Sequence, residues 1–207
     1  MSVSASKESI LKKIRQALTI STPLPYPESD HITNFYPLPN DDLSVVFATE
    51  FTKLGGKFIH AFDVQEAASQ LYRLIRENNL SKIFIADPAL RNWIAPHLLT
   101  DDLANCDASI TDAECLVART GSILLSSAQA QGRTTSVYAP IHICIASTKN
   151  VVFDIRDALQ KVKEKYGDLP PSFLTFATGP SRTADIEKTL VTGVHGPKEV
   201  YCFLIDQ

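Results

Sequence analysis

From Leu43 onward, short apolar runs alternate with amphipathic stretches, and this alternation constrains the fold more than any other feature. The runs "KFIHAF", "KIFIA", "GSILLSS", "HICIAS", "SFLTFAT" and "EVYCFLI" are short and rich in β-branched and aromatic residues, and they read as strands. The segments between them repeat their apolar residues at helical spacing. The pattern predicts helices over residues 43–54, ended by Gly55-Gly56, and over 64–77, through Ala67, Ala68, Leu71, Leu74 and Ile75. Further helices are predicted over 88–99, over 154–166 through Ile155, Leu159 and Val162, and over 181–191. Strands alternating with helices imply an α/β fold, a three-layer α/β/α sheet with helices on both faces. Runs such as "KIFIA" suit strands buried on both sides. In such sheets ligands bind outside the carboxyl ends of the strands.

The first 40 residues follow a different rule. Ser6 can cap a helix that carries Ile10, Leu11, Ile14 and Leu18 on one stripe. Five of the twelve prolines then fall between Pro23 and Pro39, which makes an extended strap. The expected organisation is an N-terminal helix and linker over 1–40 and one α/β domain over 41–207. A chain of 207 residues is long enough for one substantial core. Its net charge of -3 and lack of a basic stripe argue against nucleic acid as a partner. "MSVSASKESILKKIRQAL" lacks the apolar core of a signal peptide, and no run approaches the ~20 apolar residues of a membrane span. The expected compartment is the cytoplasm. Cys106, Cys115, Cys144 and Cys202 form no CxxC pair and match no zinc or iron–sulfur spacing, so no cofactor is expected in this chain.

The stretch "TGPSRTADIEKTLVTGVHGP", Thr178 to Pro197, concentrates chemistry-bearing residues. Gly179-Pro180 leads to Ser181, the expected N-cap of the helix over 181–191. Ala184 stands where a full capping box would place Glu or Gln, so first-turn N–H groups remain for an anion. Arg182 adds a fork suited to carboxylate or phosphate. On a helical wheel Glu187 falls among Ala184, Ile186, Leu190 and Val191, beside Thr183, where packing alone asks for no charge. Asp185 lies on the opposite side and either contacts a ligand or favours the helix start through its dipole. Gly193 and Gly196-Pro197 hold His195 on a short loop.

Upstream, Thr120-Gly121-Ser122 offers hydroxyls and a backbone open to close approach, or simply a turn. Arg133 follows Gly132 in a loop and provides a second positive arm or a solvated charge. His142 opens "HICIA" as an acid–base group or a core histidine. Glu114 is a lone acid before an apolar run.

Two blocks, "DAECLVARTGSILLSS…GRTTSVYAPIHICIA" and "TGPSRTADIEKTLVTGVHGPKEVYCFLI", resemble the lactate-utilisation protein C family, the LUD domain. They cover about residues 110–206. Arg119 departs from the acidic residue expected before Thr-Gly, and Ser122 stands where threonine is expected. The resemblance implies a fold similar to the NagB/RpiA/CoA-transferase group. It also implies a role in oxidising L-lactate to pyruvate alongside two iron–sulfur proteins, which would carry the clusters. The residues then offered for ligand binding are Thr120, Gly121, Ser122, Arg133, Gly179, Ser181, Arg182, Thr183 and Asp185, for a small carboxylate or another anion. Glu187, His142 and His195 are the candidates for catalysis. A stand-alone transferase or isomerase using Glu187, a ligand-sensing module and a homo-oligomer stay open.

Overall fold

The computed structural model describes residues 5–19, 36–183 and 191–206. The chain divides into two compact units, Met1–Leu38 and Pro39–Gln207. In the first, helix α1 (Ala5–Leu18) carries the stripe of Ile10, Leu11, Ile14 and Leu18 on its exposed surface. The proline strap lies largely outside the described residues.

The second unit is built on a parallel sheet. Helix α2 (Leu43–Lys53) starts at Asp42, whose side chain accepts a hydrogen bond from the Ser44 N–H. Strand β1 (Lys57–Ala61) follows, then α3 (Val64–Glu77), capped by Asp63, and β2 (Ile83–Ile85). A short α4 (Pro88–Arg91) and β3 (Leu99–Thr100) come next. The chain continues through β4 (Ala108–Thr111), β5 (Cys115–Val117), β6 (Ser122–Ser126), α5 (Thr135–Tyr138), β7 (Ile141–Ser147) and β8 (Val151–Val152). It ends with α6 (Ile155–Tyr166), β9 (Leu174–Ala177), β10 (Arg182–Thr183), β11 (Val191–Thr192) and β12 (Glu199–Ile205).

The central sheet has six strands in the order β1-β12-β7-β4-β2-β3, all parallel. Alternate side chains divide between its faces. On one face Ile143, Ile145, Tyr201 and Phe203 meet Leu71, Leu74 and Ile75 of α3. On the other, Cys144, Ala146, Cys202 and Leu204 meet Phe47 and Phe51 of α2, together with Leu116, Ile123 and Leu125. The latter three come from a second sheet, ordered β8-β5-β6-β9, whose outer face packs on Ala158 and Val162 of α6. The architecture is therefore mixed α/β with a central parallel sheet flanked by helices, as expected. The second sheet shares with α2 the face opposite α3.

Two predicted helices are corrected. Over 88–99 only Pro88–Arg91 is α-helical, and a single 3-10 turn occupies Pro96–Leu98. Pro96 has no N–H to donate, so the first helix cannot run through it. The helix expected over 181–191 does not begin or end where predicted: Arg182–Thr183 pairs antiparallel with Val191–Thr192. Gly193 N–H donates to the Ser181 carbonyl and Ser181 N–H to the Pro197 carbonyl, so these backbone groups serve a hairpin rather than a helix cap. Residues 184–190, which include Asp185 and Glu187, lie outside the described residues.

All four cysteines are buried thiols. Cys144 and Cys202 stand directly opposite each other on β7 and β12.

Candidate functional site

Three of the candidate residues, Gly121, Gly179 and Arg182, meet at the end of α2. That helix stops at Leu54-Gly55-Gly56, so its last carbonyls face the amino end of β1. Arg182 donates from its guanidinium to the Leu54 carbonyl, placing positive charge at a helix C-terminus. Gly179 comes so close that a Cβ there would stand 2.8 Å from the same carbonyl oxygen. From the other side, Gly121 adopts φ +56° and approaches the α2 backbone, where its Cβ would stand 2.5 Å from the Phe51 nitrogen. The two sequence blocks thus clamp one helix terminus between them.

Hydroxyls join the blocks directly. Ser122 Oγ shares hydrogen bonds of 2.8 Å with both Thr120 Oγ1 and Thr178 Oγ1. Ser122 itself is buried, whereas Thr178 is exposed. The position where threonine was expected therefore keeps its hydroxyl, which is the part used. Arg119, the other departure, pairs with Asp154 at 2.6 Å and ties the 3-10 turn Ala118–Thr120 to the start of α6.

His195 lies on the loop after β11, beside a cavity of about 370 Å³ whose walls include Lys198, Tyr138 and Pro140. This loop precedes β12, and Pro140 precedes β7, so the cavity opens at the amino ends of the central strands. Thr183 is half-buried in β10. Arg133 donates to Ser172 Oγ at 2.7 Å and stacks over Phe173 at 5.7 Å. Since Ser172 and Phe173 precede β9 and Arg182 follows it, the two arginines sit at opposite ends of that strand. His142 is fully buried on β7. Its Nε2 shares a 2.9 Å hydrogen bond with Thr111 Oγ1, and burial pushes its pKa down to about 4, which keeps the ring neutral. His142 and His195 therefore occupy different environments, one in the core and one at the surface.

Two constellations escaped the sequence reading. Glu114 is no lone acid: its side chain is 3% exposed and accepts hydrogen bonds from Lys165 Nζ (2.7 Å), Ser126 Oγ (2.6 Å) and Tyr166 Oη (2.6 Å). Burial alone would push this carboxyl up, but the three donors outweigh it and hold its pKa below the ordinary value. At the carboxyl edge of the sheet, His60 Nε2 lies 3.1 Å from Asp206 Oδ1. These partners are 146 residues apart, and only the parallel pairing of β1 with β12 brings them together.

A parallel sheet with a helix-clamping double motif defines a mixed α/β domain of the kind seen in a crystal structure of a DUF162 family protein from Deinococcus radiodurans. That structure superposes with a TM-score of 0.63 at 19% identity, covering 82% of this chain and 99% of the other, and it supports the fold. Residues 92–205 match the LUD domain, and the chain belongs to that family. Among similar proteins, a lactate utilization protein C from Geobacillus kaustophilus is 31% identical over 159 residues, 74% of this chain and 64% of that one. Another, from Bacillus licheniformis, is 37% identical over 101 residues, 47% of this chain and 42% of its own. An uncharacterized protein of Neisseria meningitidis is 34% identical over 106 residues, 51% of this chain and 45% of the relative. The chain thus spans about half the length of several curated relatives it matches.

Proposed function

We propose that this protein serves lactate utilisation as a component without iron–sulfur clusters, a subunit or accessory factor in the oxidation of L-lactate to pyruvate. Two iron–sulfur partner proteins would carry the electrons. This chain would contribute a surface for a small anionic ligand or for a partner, formed by residues 178–183 and 191–198.

One observation carries the reading. The two blocks that bear the family resemblance lie 56 residues apart at Ser122 and Thr178, yet they meet in one hydroxyl cluster. They also bring His195 and Lys198 to the rim of a cavity of about 370 Å³. A cavity with the Lys198 ammonium on its wall suits a small carboxylate. The names of similar proteins, lactate utilization protein C, support the pathway. Residues 184–190, with Asp185 and Glu187, connect β10 to β11 beside this region in the sequence, and they remain the candidates for completing it.

The test is genetic. A strain lacking the gene should fail to grow on L-lactate, grow normally on glucose, and recover on lactate when the gene is restored. Undiminished growth on L-lactate would overturn the proposal.

A further inference from the structure

The opposite end of α2 borders a different cavity. Its volume is about 660 Å³, and Val45, Ala48 and Phe58 form its apolar wall. Its polar residues include Asp42, His60, Thr148 and Asp206, and no Lys or Arg lines it among the described residues. Chain direction fixes its location. His60 is near the carboxyl end of β1, Asp206 follows β12 and Thr148 follows β7. This is the edge of a parallel sheet at which α/β proteins bind ligands. Gly121, Gly179 and Arg182 of the LUD motifs sit instead at the C-terminal end of α2.

We propose that this cavity is a second binding site, separate from the motif region, for an organic ammonium ligand with an apolar body. Asp42 uses one carboxylate oxygen to cap the Ser44 N–H, and Asp206 turns one towards His60. A carboxylate has lone pairs beyond one such bond, so both offer acceptors to a donor-rich ligand. Two carboxylates on a wall that holds no Lys or Arg among the described residues repel an anion and attract a cation. Aromatic faces add to that preference. Phe58 and His60 supply the aromatic rings of the wall. The volume falls in the range of about 300–1,000 Å³ that holds drug-sized molecules, which is more room than a three-carbon acid needs.

The full chain, titrated with 2-phenylethylamine and with phenylacetate, tests the proposal, since the two probes share a ring and differ in charge. Calorimetry should show binding of the amine and none of the acid at about 10 mM, near the weak limit for such probes. Backbone amide shifts on adding the amine should map to Val45, His60 and Asp206. Asp206→Asn and Asp42→Asn should each weaken the amine about tenfold. Asn caps a helix as well as Asp does, so the second variant removes charge without loosening α2. Acid binding as tight as amine binding, no amine binding, shifts confined to other residues, or unchanged affinity in both variants would each overturn it.

Discussion

Replacing Gly121 by alanine should damage the protein through one contact. The residue holds φ +56°, and a Cβ built there would lie 2.5 Å from the Phe51 nitrogen, 2.7 Å from the Glu50 carbonyl carbon and 2.8 Å from the Phe51 Cα. All three are backbone atoms of α2, so no side chain can swing aside. Either the turn or the helix must move, and the helix carries Phe47 and Phe51, which are stacked at 5.3 Å and fully buried. The left-handed conformation costs alanine about 1 kcal/mol, and forcing extra volume into a packed contact costs about 1–3 kcal/mol more. Together these give about 3 kcal/mol, or a fall in Tm of roughly 6–12 °C for a domain of this size. Gly132 supplies the control. It has φ +64° but nothing within 4 Å of where a methyl would stand, so Gly132→Ala should lose only the dihedral part, about 2–4 °C. Calorimetric melting of the two variants separates the effects. Equal losses would show that the approach to α2 contributes nothing and would refute the packing argument.

Two pH-dependent effects follow from buried groups. His142 is neutral when folded, with its pKa pushed down to about 4 from 6.5, so the unfolded chain binds its proton first and stability falls as pH drops from 6.5 towards 4. His142→Gln should lose less stability across that window in urea titrations; parallel curves for variant and wild type would contradict the assignment. Glu114 has its folded pKa lowered, so its contribution is full above the ordinary glutamate range and is lost as pH falls through the folded value. Glu114→Gln should therefore cost about 1–3 kcal/mol at neutral pH, with the gap to wild type closing on acidification. A gap that stays constant with pH would show that charge is not what the three donors recognise.

Much of the architecture was legible because its signals are local. The 64–77 helix coincides with Val64–Glu77, and "EVYCFLI" is β12, since periodicity and apolar runs survive in short windows. What failed depended on distant partners. "ASIT" forms β4 between β7 and β2, although its own residues give a weak strand signal. Arg182 and Thr183 carry helix-compatible spacing, but they pair with Thr192 and Val191 instead. The candidate region divides in the same way. Gly121 announced close approach, but a sequence does not say that the approaching object is a helix end rather than a ligand. His60 and Asp206 had no local mark at all, because only the completed sheet makes them neighbours.

The placement of the four thiols has a practical consequence. Cys144 lies against Cys202 in the sheet, and that contact, together with burial, raises the Cys144 pKa well above its usual value. Burial pushes Cys115 up to about 11 and raises Cys106. Alkylating reagents and peroxides attack thiolates, so the folded chain presents them with almost nothing to attack. Sulfhydryl chemistry in this protein becomes a gauge of opening. Cys106 precedes β4, Cys115 belongs to the second sheet, and Cys144 with Cys202 occupies the middle of the first. The sequence in which they become reactive under mild denaturant records which layer of the molecule comes apart first.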